Sequence, residues 1–139
     1  MAQNTAPIFT NTPDIGTAVL QTGTAANFDM TTGVSASIFT AGPSGSYVSK
    51  IRIKPSGSTT GTVIRVYLNS TGVTTISGNN VLYAELSLPT VAASTTSAQN
   101  DYELPMNIAI PANWKLFAAY GTAPGAGTGF HITTIGGDY

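Results

Sequence analysis

Cysteine is absent from this sequence of 139 residues, and histidine occurs once, at position 131. Without cysteine the chain has no disulfides, no thiolate metal sites and no cysteine nucleophile. A single histidine cannot make up a transition-metal cluster with the ligands that remain. We therefore expect no metal centre and no cofactor. A chain of this length can instead be stabilised by a hydrophobic core alone.

Charged residues are scarce as well, at 8 % of the chain, against about 25 % in an average soluble domain. Five basic and six acidic residues give a net charge of −1, which is too small to attract nucleic acid or an anionic membrane over a distance. No run approaches the roughly 20 apolar residues of a membrane span. The opening MAQNTAPIFT lacks the basic and apolar regions of a secretory signal. We expect a protein that is soluble where it is made and binds neither nucleic acid nor membrane.

Threonine, serine and glycine are abundant, and they separate short apolar segments from one another. Threonine favours strands, whereas glycine and serine favour the turns between strands. This alternation predicts an all-β chain with about eight strands. The predicted strands are residues 16–20, 35–40, 46–54, 62–69, 80–88, 101–109, 114–120 and 129–136.

Several predicted strands alternate apolar with polar residues, which indicates one buried and one exposed face. The residues predicted to face inward are Tyr47, Ile51, Ile53, Ile64, Val66, Leu68, Leu82, Ala84, Leu86 and Leu88. The residues predicted to face outward are Lys50, Arg52, Lys54, Arg65 and Glu85. Proline cannot donate to a central ladder, so Pro105 is predicted at a sheet edge or a bulge.

Eight strands in one domain predict two packed antiparallel sheets, and a jelly-roll-like β-sandwich is the expected fold. The long connections 70–79 and 89–100 are expected to cross between the sheets. Residues 1–14 have two prolines and no periodicity, so we expect an extended N-terminal arm there and the sandwich over 15–139. Ile8 and Phe9 are the bulky apolar pair of this arm, and we expect them to be ordered only against a partner.

His131 is the natural candidate for catalysis, but it alternates with Phe130 and Ile132 in a predicted strand. That alternation predicts a surface or structural histidine, and no G-x-S-x-G nucleophile elbow is present. Asp101 and Glu103 share one face of a strand, where solvated charges are favoured over a surface calcium site. The glycine-rich GTAPGAGTG lacks the G-K-[ST] ending of a phosphate loop, so it is interpreted as a turn. We expect no catalytic and no metal-binding residue.

Four of the five basic residues, Lys50, Arg52, Lys54 and Arg65, form what we call the basic cluster. Three interpretations remain open. The first is that these residues keep one face solvated and discourage edge pairing. The second is that they bind phosphate or a sulfated sugar. The third is that they dock on an acidic partner surface. Tyr67 and Tyr83 fall on the faces of Arg65 and Glu85, so a sugar-binding aromatic platform is a further possibility. Trp114 follows a proline turn and is expected to anchor the core.

The segments YVSKIRIK, VIRVYLN, LYAELSLP, ELPMNIAIPANWKL and the terminal IGGDY resemble the cement, or decoration, proteins of tailed bacteriophages. Over about residues 46–139 the chain is similar to the jelly-roll cement protein of short-tailed phages of the Bordetella type. Asn113 stands where the P-A-G-W/Y-K-L turn of these proteins has glycine. Asparagine also tolerates the left-handed conformation, so the turn is expected to be kept.

The resemblance implies a non-enzymatic virion protein that is made in the host cytoplasm, binds the major capsid protein on the outer surface of the shell and stabilises the DNA-filled head. It also implies a symmetric homo-oligomer, with a dimer favoured. Our candidate contacts with the shell or a neighbouring subunit are Ile8, Phe9, Lys50, Arg52, Lys54 and Arg65. The alternative is a phage tail-fibre or receptor-binding module of similar architecture that recognises cell-surface carbohydrate.

Overall fold

A computed structural model describes residues 10–139, which form eight strands and one short 3-10 turn at Ser77–Asn79. The strands are β1 Thr12–Gln21, β2 Ser35–Thr40, β3 Ser46–Pro55, β4 Thr62–Asn69, β5 Asn80–Leu88, β6 Tyr102–Ile110, β7 Lys115–Tyr120 and β8 Gly129–Asp138. The predicted all-β class is confirmed. In this part of the chain, no helix is both long and apolar enough to cross a membrane.

The strands form two four-stranded antiparallel sheets, which we call sheet A (β1-β8-β3-β6) and sheet B (β2-β7-β4-β5). Every connection between consecutive strands passes from one sheet to the other, except the one from β4 to β5. Eight strands that alternate between two sheets in this order make a jelly roll, so the predicted architecture is confirmed.

The connection 89–100 crosses between the sheets as predicted, but 70–79 does not, and that prediction was wrong. It joins β4 to β5, which are antiparallel neighbours in sheet B. Its length reflects internal hydrogen bonding and not a crossing. The Asn69 side-chain amide donates to the Val73 carbonyl at 3.0 Å and to Asn80 Oδ1 at 2.8 Å. These bonds fold the connection back on the strands that it joins.

The core lies between the inner faces of the two sheets. Its fully buried strand residues include Ile51, Ile53, Ile64, Val66, Leu116, Phe130 and Ile132. Burial of one such side chain contributes roughly 1.5–3 kcal/mol. Trp114 packs against this core, as predicted.

Two bulges reverse the faces predicted for Tyr47 and Leu82. In β3, Ser49 is an extra residue between the pairs that Val48 and Lys50 make with β8, and Val48 is fully buried in place of Tyr47. In β5, Tyr83 is the extra residue, so Leu82 lies opposite Tyr67 and is exposed. A bulge shifts the alternation of a strand by one residue, which moves the following side chains to the other face.

Pro105 and Asn113 occupy the backbone environments that were predicted for them. Pro105 lies in β6, an edge strand of sheet A, next to the irregular pairing with β3. Asn113 has a φ of 64°, in the left-handed region, within the turn between β6 and β7. Asparagine therefore takes the place of glycine without disrupting this turn.

The start of β1 changes the boundary expected for the arm. Thr12, Pro13 and Asp14 pair with Asp138, Gly137 and Gly136 of β8, so they belong to sheet A and not to an arm. Pro13 is compatible with this position because β1 is an edge strand. Ile8 and Phe9 lie outside the described residues.

Candidate docking surface

The outer face of sheet B is covered by the chain itself over β4 and β7, whereas Leu82 of β5 is exposed on it. The connection from β1 to β2, residues 22–34, lies over it and buries Ala26 and Met30 against Tyr67, Phe117 and Ala119. This small second core leaves Tyr67 with no exposed surface. The predicted exposure of Tyr67 was wrong, and only Tyr83, at 42 % exposure, is left of the aromatic platform.

Arg65 is part of this covered face. Its guanidinium carbon lies 3.9 Å from the ring centroid of Phe28, and its Nε lies 3.1 Å from Glu85 Oε1. The residue is only 8 % exposed, whereas Phe28 above it is 71 % exposed. Lys50, Arg52 and Lys54 are in sheet A, so the basic cluster is not one surface. The prediction that Arg65 faces solvent was wrong because a connection far away in the sequence covers it.

Tyr67 holds the covering connection in place through its hydroxyl, which donates to the Phe28 carbonyl at 2.8 Å. Burial raises the pKa of Tyr67, so the hydroxyl stays protonated and keeps donating. We predict that Tyr67→Phe lowers the free energy of unfolding by about 0.5–1.5 kcal/mol, the usual contribution of one hydrogen bond. Amide hydrogen exchange at residues 27–29 should also become faster, while exchange in β8 stays unchanged. Equal exchange at 27–29 in both proteins would contradict this role.

Within residues 10–139, no segment covers the outer face of sheet A. Its side chains form rows that run across the strands, and each row starts at β1 and reaches β3 through β8. One row contains Val19, His131 and Lys54. The next row contains Thr17, Thr133 and Arg52, and a third contains Ile15, Ile135 and Lys50. The side nearest β1 is thus largely apolar, and the side nearest β6 is charged.

The three cations of β3 form ion pairs with two carboxylates on the edge of the sheet. Asp101, directly before β6, lies 2.9 Å from Arg52 Nη2 and 3.1 Å from Lys54 Nζ. Glu103 lies 2.9 Å from Lys50 Nζ and 3.5 Å from Arg52 Nε. Hydrogen bonding from Lys54, together with the charges of Lys54 and Arg52, lowers the pKa of Asp101 below its ordinary value. These carboxylates act as counter-ions in this structure.

Two apolar side chains of β1 are exposed on the same face, which the sequence did not reveal. Ile15 is 61 % and Val19 is 47 % exposed. Both faces of β1 carry apolar residues, because Leu20 is buried in the core while its neighbour Val19 faces out. The alternation of apolar and polar residues in β1 therefore did not predict that Ile15 and Val19 are exposed. Large apolar side chains that are exposed together often mark an interaction site.

A shallow groove of about 410 Å³ lies on this face between the charged and the apolar side. Its walls are Arg52, Lys54, Asp101, His131 and Thr133. His131 is exposed there, on the opposite face from Phe130 and Ile132, as predicted. Among residues 10–139, no group of three or more His, Asp or Glu is placed to hold a metal ion.

No protein-family model matches this chain, and no curated protein matches it in sequence. The solved structures that match include a mutant VP2 protein of infectious bursal disease virus in T=1 particles, with 14 % identity and a TM-score of 0.38. A chain in the structure of infectious bursal disease virus, Gx strain, matches with 13 % identity and a TM-score of 0.33. These matches cover 99 % and 97 % of this chain, and this chain spans 36 % of each of those chains.

Proposed function

We propose that this protein is a structural component of a phage virion that binds the outer surface of the major capsid shell and stabilises the DNA-filled head. The observation that carries the proposal is the contrast between the two outer faces. Residues 22–34 cover the face of sheet B over β4 and β7 and leave Leu82 of β5 exposed, whereas no segment of residues 10–139 covers the face of sheet A, which combines apolar with paired charged side chains. Interfaces between proteins commonly combine such groups.

Further support comes from the resemblance of residues 46–139 to phage cement proteins. A sparsely charged surface also suits repeated binding, because neutral groups are less costly to desolvate than charges. Many copies on one shell then make individually weak contacts effective. We propose that the copies act as a symmetric homo-oligomer, with a dimer favoured, and that the protein is not an enzyme.

The proposal is tested by electron cryo-microscopy of virions from the phage that encodes this chain. We expect density for the jelly roll in many copies on the outside of the head. Heads that lack the protein should lose their DNA at a lower temperature than complete heads. Density at the tail instead of the head would favour the receptor-binding alternative and would overturn the proposal.

The proposal that the protein is not an enzyme is tested by substituting His131. At equal occupancy of the heads, His131→Ala is expected to leave infectivity within a few-fold of the unmodified phage, because the residue lies on an exposed strand face and no catalysis is expected of it. The free energy of unfolding should change by less than about 0.5 kcal/mol, as for other surface substitutions. A loss of several orders of magnitude in infectivity, with the protein folded and attached, would contradict it.

A further inference from the structure

The groove on sheet A has more cationic than anionic groups around it. Lys50, Arg52 and Lys54 face two carboxylates, so this half of the face has an excess of one positive charge. Asp101 is shared by Arg52 and Lys54, and Glu103 is shared by Lys50 and Arg52. A guanidinium has five N–H donors and an ammonium has three, so the cations retain donors for a further acceptor.

The surroundings of the groove favour a protein as the partner over a free anion. His131 separates the Lys54 side of the groove from Val19, which is exposed on β1. Ile15 lies two rows further along the same strand and is also exposed. A ligand that spans this face meets cationic groups at one end and apolar side chains at the other. A protein segment with an acidic residue next to apolar residues matches both ends.

We propose that the groove receives a carboxylate from an acidic, partly apolar segment of the capsid protein, and that Asp101 occupies the place of that carboxylate in the free protein. This inference rests on the proposed function. Docking exchanges the pairs of Asp101 with Arg52 and Lys54 for pairs with the incoming carboxylate. Val19 and Ile15 then lose their exposure to water against the apolar part of the segment.

This exchange predicts opposite effects for two substitutions in one groove. Asp101→Asn removes the internal competitor at nearly constant volume and is expected to bind heads about three- to tenfold more tightly. Lys54→Glu places a negative charge where the carboxylate arrives and is expected to weaken binding by about tenfold or more. A folding defect weakens binding, so it cannot account for tighter binding of the first variant. Both effects should diminish as the salt concentration rises.

Lys115→Glu is the matched control, because it changes the net charge as Lys54→Glu does. Lys115 lies in β7 of sheet B, away from the face of sheet A. The assay is quantitative co-sedimentation of each folded variant with heads assembled without this chain, and the control should bind like the unmodified protein.

If Asp101→Asn binds no more tightly than the unmodified protein, or if Lys54→Glu binds like the control, the inference is wrong. Self-association of Asp101→Asn in sedimentation equilibrium without tighter head binding would assign the groove to a second copy and also overturn it. If the unmodified protein does not bind heads at all, the proposed function itself fails.

Discussion

Gly16→Ala is expected to lower the free energy of unfolding by about 3 kcal/mol, at the upper end of the usual range for overpacking. Gly16 lies in β1 where this strand of sheet A passes β2 of sheet B. A Cβ at this position would overlap the carbonyl oxygen of Ile38 and lie 3.1 Å from the Cα of Phe39. Both are backbone atoms of β2, which is held by its pairing with β7. Neither sheet can move away without disturbing its own strand pairs.

The control for this prediction is Gly78→Ala. Gly78 lies in the exposed 3-10 turn, and a Cβ there would meet no atom within 4 Å. We expect its unfolding free energy to stay within about 0.5 kcal/mol of the unmodified protein. Urea denaturation of both variants, with equal m-values, measures the difference. If Gly16→Ala and Gly78→Ala have equal free energies of unfolding, β1 and β2 are further apart at Gly16 than the structure shows.

Arg65→Glu is expected to destabilise the fold by about 3 kcal/mol, because it replaces the buried partner of an ion pair with a charge of the opposite sign. The new carboxylate would lie beside Glu85 and beneath the Phe28 ring, whose face is electronegative. Arg65→Met retains the length and packing of the side chain without the charge, so it should destabilise the fold less than Arg65→Glu. The order of the two variants in thermal and urea unfolding tests the electrostatic cause.

Arg52→Glu provides the comparison in sheet A. Arg52 makes two ion pairs, but its side chain is half-exposed, so the same reversal is expected to change the unfolding free energy by less than about 1 kcal/mol. Arg65 and Arg52 look alike in the sequence, since each alternates with buried aliphatic residues. If Arg65→Glu destabilised the fold as little as Arg52→Glu, Arg65 would not be buried in solution.

The six candidate contact residues were predicted from the sequence, and only part of this set lies on the groove face of sheet A. Lys50, Arg52 and Lys54 were predicted on one exposed face, and the structure places them together in β3 with their charges paired to Asp101 and Glu103. Arg65 was grouped with them, but it lies in the other sheet. Ile8 and Phe9 lie outside the described residues, and their role remains a prediction. The pairing partners and the exposed β1 side chains became visible only when strands distant in sequence were placed side by side.

The sequence by itself determined the strands and the fold class, because period-two alternation and turn residues act between near neighbours in the chain. The predicted bounds of β2, β4 and β5 coincide with those of the structure. Only the tertiary structure decided where alternation breaks, as at Ser49 and Tyr83, because the irregular pairing at a bulge involves the neighbouring strand. It also extended β1 back to Thr12, because the hydrogen-bonding partner of that segment is the last strand of the chain. Finally, it decided which part of the surface is covered, because residues 22–34 lie over β4 and β7 of sheet B through contacts that no local pattern of either segment encodes.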